Sequence, residues 1–291
     1  GAAPEEGKPE RKQKPKRQPE PEEWQTVVAP PDRQPPTSLR LNRDGKWAEK
    51  PVVMAWPYRN GAGELLGYDC RVEWIQQNDD GTTKTGKDII PITWQVNRST
   101  GEARWRQGAL PDPRVLYGTE QLAANPAAQV LIVEGCKAAD AARRLLEGTG
   151  LIVVTWPGGC KAVRLADWSL LAGRKVVGWP DCDSQIDKKT GQLKAYAEQP
   201  GMRAMLDIEQ HVAQHGAAMR IVAVPPPGVW VNGYDLADAE AEGWNRDRVL
   251  AFIRENIATP DQIRERHQQA GTAQDDRGEH APPEYDDMPP P

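Results

Sequence analysis

Between residues 128 and 257 the chain alternates short apolar runs with longer segments of helical periodicity, and this alternation restricts its fold more than any other feature. Gln129 to Val133, Leu151 to Thr155, Lys175 to Trp179 and Met219 to Val224 are the apolar runs. Lys137 to Leu146, Ala195 to Gln214 and Arg246 to Asn256 carry the helical pattern, the last with Asn245 or Trp244 near its cap. Strands that read as continuous apolar runs are buried on both faces, and intervening helices return the chain in the same direction. The expected architecture is α/β, a Rossmann-like, mostly parallel sheet with helices on both faces.

The preceding stretch has another grammar. Val52 to Tyr58, Leu65 to Ile75, Ile89 to Val96 and Ala103 to Arg106 are alternating or β-branched runs, with turn signals at Asn60 to Gly63 and Asn78 to Gly81. They predict a small antiparallel β-rich subdomain whose apolar contacts come largely from Trp56, Trp74, Trp94 and Trp105. Both ends of the chain differ again. Gly1 to Glu23 is almost entirely Pro, Glu, Lys, Arg and Gln, with six basic residues against six acidic ones, and Pro260 to Pro291 is similar with an acidic excess. Such segments cannot bury enough apolar surface to offset their ordering entropy. The expected division is a disordered linker over 1–45, a β-rich unit over 46–125, the α/β unit over 126–258 and a disordered acidic tail over 259–291. The opening Gly-Ala-Ala, without an initiator Met, suggests a piece of a longer protein.

Bulk properties exclude several classes. No apolar run approaches the roughly 18–20 residues a membrane span needs, so no membrane role and a cytoplasmic location are expected. Cys70, Cys136, Cys160 and Cys182 never form a C-x-x-C pair, which argues against a zinc ribbon and a secreted disulfide scaffold and for free thiols. The formal net charge of −5 decides nothing about nucleic-acid binding, because the tails contribute much of the acid.

The chemistry is expected where strands end, since the crevice of an open α/β sheet lies beyond the carboxyl ends of its strands. Glu134 ends the first strand, and Asp181 and Asp183 end the third. Three carboxylates around one spot repel one another unless a cation neutralises them, and Mg²⁺ or Mn²⁺ accepts such hard oxygen ligands. On an extended segment the Asp-x-Asp spacing would point both side chains to one face. Taken singly, Glu134 is equally a helix N-terminal acid and the aspartates are turn formers.

Together these residues resemble a known family. Val133-Glu134-Gly135, Lys137 to Ala142, Trp156-Pro157-Gly158-Gly159 and Trp179-Pro180-Asp181-Cys182-Asp183 look like the Toprim domain of bacterial primases, topoisomerases and some nucleases. The pattern is most similar to Toprim modules of primase or primase-helicase proteins from phages, plasmids and mobile elements. There Tyr58-Arg59-Asn60, Gly63, Gly67-Tyr68, Pro113 to Gly118 and Gly233 to Asp238 also fit, so that the resemblance covers about Val52 to Asn256. It implies catalytic and metal-binding roles for Glu134, Asp181 and Asp183, Mg²⁺ or Mn²⁺ as cofactor, and phosphate contact for Lys137. Lys161, Lys188 and Lys189 are further candidates for phosphate or nucleic acid, and Asp235 and Asp238 form a candidate auxiliary acidic pair. The implied partners are a single-stranded DNA template, nucleoside triphosphates and a helicase domain or protein. Two departures stand out: Cys136 occupies a commonly acidic position, and Ser184 to Thr190 lengthens the turn after Asp183.

Gly81 to Asp88 nearly matches a phosphate loop, but Asp88 replaces the required hydroxyl residue and the flanking runs read as a hairpin around a loop. His211 and His215 share a helix face without a third ligand. Three functions remain: metal-dependent nucleotidyl transfer making RNA primers, metal-dependent cleavage of nucleic acid by the same carboxylates, and non-catalytic binding of nucleic acid or a helicase.

Overall fold

The structure, a computed structural model, describes residues 24–43, 45–77 and 81–266. The first 23 residues, the turn residues Asn78 to Asp80 and the acidic stretch Asp275 to Asp287 lie outside the described residues.

An antiparallel sheet opens the fold. Its strands are β1 (Trp24–Thr26), β2 (Ser38–Arg43), β3 (Lys46–Arg59), β4 (Leu65–Gln77), β5 (Thr83–Asn97) and β6 (Ala103–Gln107), in the order β1-β5-β4-β3-β2 with β6 also on β5. The Asn60 to Gly63 turn forms as expected, with the Asn60 side-chain oxygen accepting from the Ala62 and Glu64 N–H groups. Leu39, Leu65, Tyr68, Cys70, Val72, Ile92 and Trp94 make a core within the sheet, and Trp105 packs edge-on against Tyr68 and Trp94.

Two boundaries differ from expectation. Residues 24–43 are not a linker: β1 pairs with β5 and β2 with β3, Ala29 and Leu39 are buried, and Arg104 and Arg106 lie over the Trp24 ring at 4.7 and 4.2 Å. The high proline and charge content concealed a few apolar anchors whose backbones are satisfied by an existing sheet. Likewise 259–266 is not tail, for residues 260–266 are helical and Ile263 is fully buried. The phosphate-loop look-alike also resolves differently, since Thr83 to Asp88 belong to β5 itself and not to a loop.

The second sheet has the order β11-β10-β9-β7-β8, from β7 (Val130–Val133), β8 (Ile152–Val154), β9 (Lys175–Trp179), β10 (Ala218–Val222) and β11 (Ile257–Ala258). β8, β7, β9 and β10 are parallel, and β11 is an antiparallel edge. The helices are α1 (Thr119–Ala124), α2 (Cys136–Leu145), α3 (Pro200–Ala213), α4 (Leu236–Ala241) and α5 (Arg246–Asn256). Proline at the first position of α3 fixes its start, which is why the helix is shorter than the periodic stretch from Ala195 suggested. All four residues of β7 are buried, and small residues on α2 (Ala138, Ala139, Ala142) let it sit close to the sheet.

The apolar core of this unit takes in Leu110, Leu116 and Tyr117 of the segment between the sheets and continues into the first sheet at Trp56 and Tyr58. Asp140 of α2 ties the units by accepting from the Trp56 indole at 2.8 Å, and it also accepts from the Tyr117 hydroxyl of the connecting segment at 2.7 Å. No helix among the described residues is long and apolar enough to cross a membrane.

Candidate functional site

In the parallel sheet β8 lies on one side of β7 and β9 on the other. The chain direction out of the sheet therefore diverges between β7 and β9, and a crevice opens at their carboxyl ends. Glu134 directly follows β7, and Asp181 stands two residues beyond β9. Pairing of Cys182 with Tyr234 brings Asp235 to the same place: the Cys182 N–H donates to the Tyr234 carbonyl at 2.9 Å, and the Gly233 N–H to the Cys182 carbonyl at 2.8 Å.

A cleft of about 410 Å³ lies over these acids. Its floor includes Glu134, Lys137, Asp181 and Asp235. Its opposite wall comes from the antiparallel sheet, where cross-strand pairing of Trp56 with Asp69, Asp69 with Pro91, and Arg71 with Ile89 puts these side chains on one face. Lys87, paired with Glu73 two positions further along, extends that face into the cleft. Asp69, Arg71, Lys87 and Arg114 were not among the residues singled out from sequence. Asp69 and Arg71 had a signal, two charges at period-two spacing on a strand whose alternate residues are core, but nothing in the sequence specified which unit that face would meet.

The carboxylates are under electrostatic stress. Burial raises the Glu134 pKa, as does the charge of Asp183, against hydrogen bonds from Cys160 that lower it. The Cys160 thiol donates to Glu134 Oε1 at 2.9 Å, while Oε2 is buried with no partner. Asp181 is raised well above the usual range by burial, then by Glu134, Asp235 and Asp183, with Lys87 opposing. Burial also raises Asp183 and Asp235, opposed by the Gly201 N–H in the first case and first by the Asp238 N–H in the second. Such groups favour a cation or a shared proton between them.

Asp181 and Asp183 do not face the cleft together. The Asp183 N–H bonds back to the Asp181 carbonyl at 3.1 Å, a tight turn that breaks strand alternation. Asp183 turns to the start of α3, where the Gly201 N–H donates to its Oδ2 at 2.7 Å. Gly201 is required there, because a Cβ would stand 2.7 Å from the Asp181 carbonyl oxygen.

The other expected residues divide. Asp235 lines the cleft and also caps α4, accepting from the Ala237 and Asp238 N–H groups, while the Asp238 carboxylate completes that capping box. Lys161 lies at a separate cavity of about 160 Å³ with Arg164, Asp207 and His211, because the short helical turn starting at Cys160 directs it toward α3. Lys188 and Lys189 are exposed in a hairpin-like loop closed by the Ile186–Leu193 bridge, away from the residues lining the cleft. Cys136 is buried, with the Tyr58 hydroxyl 3.4 Å from its sulfur. All four cysteines are free.

Among the described residues no group of three or more His, Cys, Asp or Glu side chains stands as a ready metal cage. Even so, the donors that meet here are hard oxygens, and the orphaned Glu134 Oε2 is a buried acceptor that Mg²⁺ or Mn²⁺ would satisfy.

No protein-family model matches the chain, and no curated protein matches it. Solved structures with a related arrangement include a DNA primase domain from Pseudomonas aeruginosa (16% identity, 76% of this chain and 56% of that one, TM-score 0.40). Others are the E. coli primase catalytic core (13%, 79% and 61%, 0.42) and a DnaG primase catalytic domain bound to single-stranded DNA (12%, 81% and 60%, 0.42). The chain thus spans a little over half the length of the chains it matches. Likeness at this level carries nothing about activity.

Proposed function

We propose that this chain is a Toprim-type nucleotidyl transferase that joins nucleotides into RNA primers on a single-stranded DNA template, in the replication of phage, plasmid or mobile-element DNA. The observation that carries the reading is the meeting of Glu134, Asp181 and Asp235 at the β7/β9 crevice, each pushed toward protonation by burial and by neighbouring acids, under a wall bearing Lys87 and Arg71. A floor that seeks positive charge, facing a wall that supplies it, suits a polyanion held through divalent metal.

Glu134 and Asp181, with Asp235 beside them, would hold Mg²⁺ or Mn²⁺, which when bound supplies charge neutralisation at the phosphate under attack, while Asp183 behind them adds negative charge. The protein's share is placement. Cys160 holds one oxygen of Glu134 and leaves the other free to act on a proton or a metal. Gly201 fixes Asp183 from behind. Lys137, in the first turn of α2, and Lys87, on β5, meet phosphate oxygens from opposite sides of the cleft. Phosphoryl transfer of this kind depends mainly on positioning and electrostatics, so few other groups are needed. A helicase domain or protein is the natural partner of such a module.

The test is incubation of the full chain with single-stranded DNA, Mg²⁺ or Mn²⁺ and labelled nucleotides, beside the Glu134→Gln variant. New short RNA that disappears in the variant is the expected result. Shortened template with no new RNA would replace this reading with metal-dependent cleavage, and undiminished synthesis by Glu134→Gln would remove the carboxylate from the chemistry.

A further inference from the structure

Arg114 is a firmly placed cation of the cleft. Its backbone is pinned on both sides, with its N–H donating to the Leu165 carbonyl at 2.7 Å and its carbonyl accepting from the Asp167 N–H at 2.7 Å. Its Nε donates to Asp112 Oδ1 at 2.9 Å, and the side chain is only 17% exposed. Gly158 makes room for the guanidinium. A Cβ at that position would stand 3.2 Å from Arg114 Nη1 and 2.8 Å from the Ala162 Cβ, and the φ of +92° disfavours any other residue. Asp69, 6% exposed, adds a favourable charge from the opposite sheet.

With Nε occupied, Nη1 and Nη2 donate to no acceptor among the described residues, and the side chain lines the same cleft as Glu134 and Asp181. The cations of the opposite wall differ. Arg71 is committed to Glu73 through Nε and Nη2, and Lys87 is an exposed ammonium on a flexible stem. A planar guanidinium with two free nitrogens, already held in place, matches paired oxygens of a phosphate better than a lysine does. The cleft volume of about 410 Å³ is that of a small-molecule site.

We infer that Arg114 anchors the outer phosphate of a small polyphosphate ligand, donating through Nη1 and Nη2 to its non-bridging oxygens while the carboxylate floor faces the inner phosphates. For the reaction this rests on the nucleotidyl-transfer reading. The anion site itself does not.

The experiment is calorimetric titration of the full chain with inorganic tripolyphosphate in Mg²⁺, for the wild type and for Arg114→Met, Arg114→Lys and Gly158→Ala. Arg114→Met is expected to weaken binding at least about tenfold, with Arg114→Lys recovering only part, since a point charge does not reproduce the fork. Gly158→Ala, which leaves Arg114 itself intact, is expected to weaken binding by pressing on Nη1, and it carries the test if Arg114→Met fails to fold. Wild-type affinity in Arg114→Met, or no tripolyphosphate binding by the wild type, would overturn the inference. So would loss of oligonucleotide binding alone, which would assign Arg114 to a strand. Arg114-dependent binding without primer synthesis would uphold the site and sink the reaction. Primer synthesis with an unchanged nucleotide KM in Arg114→Lys would do the reverse.

Discussion

Asp140→Ala tests whether the two sheets stand as one body. The Asp140 carboxylate takes the Trp56 indole N–H at 2.8 Å, the Tyr117 hydroxyl at 2.7 Å and a longer contact from Arg143 at 3.5 Å. Removing it strands two donors on side chains that are 4% and 8% exposed. Hydrogen bonds to charged groups contribute about 1.5–3 kcal/mol each, and because Asp140 keeps 26% exposure the lower end applies, giving a loss of roughly 3 kcal/mol. At about 2–4 °C per kcal/mol for domains near this size, the melting temperature should fall by roughly 6–12 °C. Asp140→Asn keeps one acceptor and should lose about half as much. The assay is thermal unfolding followed by near-ultraviolet circular dichroism, which reads the tryptophans directly. In an Asp140→Ala background Trp56→Phe should cost markedly less than in the wild type, the mark of coupled partners. A shift below about 2 °C for Asp140→Ala would refute the reasoning, showing that packing alone joins the units.

Two further outcomes follow from the acid floor. Burial and neighbouring acids raise the folded-state pKa of Asp181, so the folded protein binds its proton more tightly than the unfolded chain does. Its contribution therefore favours folding at low pH and is lost as pH rises above the ordinary carboxylate value of about 4, levelling beyond the folded-state pKa. In chelator, Asp181→Asn should gain melting temperature over wild type as pH is raised from 5 to 8; a gap that stays constant would contradict the assignment. Gly201→Ala places a Cβ 2.7 Å from the Asp181 carbonyl oxygen and 3.2 Å from Asp183 Oδ2. It should cost roughly 1–3 kcal/mol in denaturant unfolding and weaken Mn²⁺ binding measured by electron paramagnetic resonance, and retention of both properties would show that α3 can shift freely.

The legible parts of the molecule were those that repeat a simple physical period. β9 and α5 fall where the apolar run from Lys175 and the helical pattern from Arg246 place them, because burial on both faces or along one stripe writes itself into composition. The edge strands β1 and β2 were hidden, since an edge needs only a few apolar residues once a neighbour supplies the hydrogen bonds. At the site, Glu134 and Asp181 were legible from strand ends, Lys137 and Asp235 only through the family resemblance, and the structure brings the four to one cleft. Asp183 was misplaced because a single hydrogen bond to the Asp181 carbonyl reverses the direction that alternation predicts. Lys161 shows the same limit, for the short helical turn Cys160–Leu165 decides which cavity it serves. The opposing wall was not placed, since Arg71 and Lys87 become neighbours of Glu134 only through packing between sheets.

That packing also bears on how a molecule enters and leaves. Units joined by a large apolar interface have little freedom to swing apart, and here Trp56, Tyr58, Leu110 and Leu116 belong to the same core as β7 and α2. Parting the walls would expose those side chains to water, so the aperture resists widening as a ligand comes and goes. Selection at such a mouth is by outline, as with a keyhole and not a jaw.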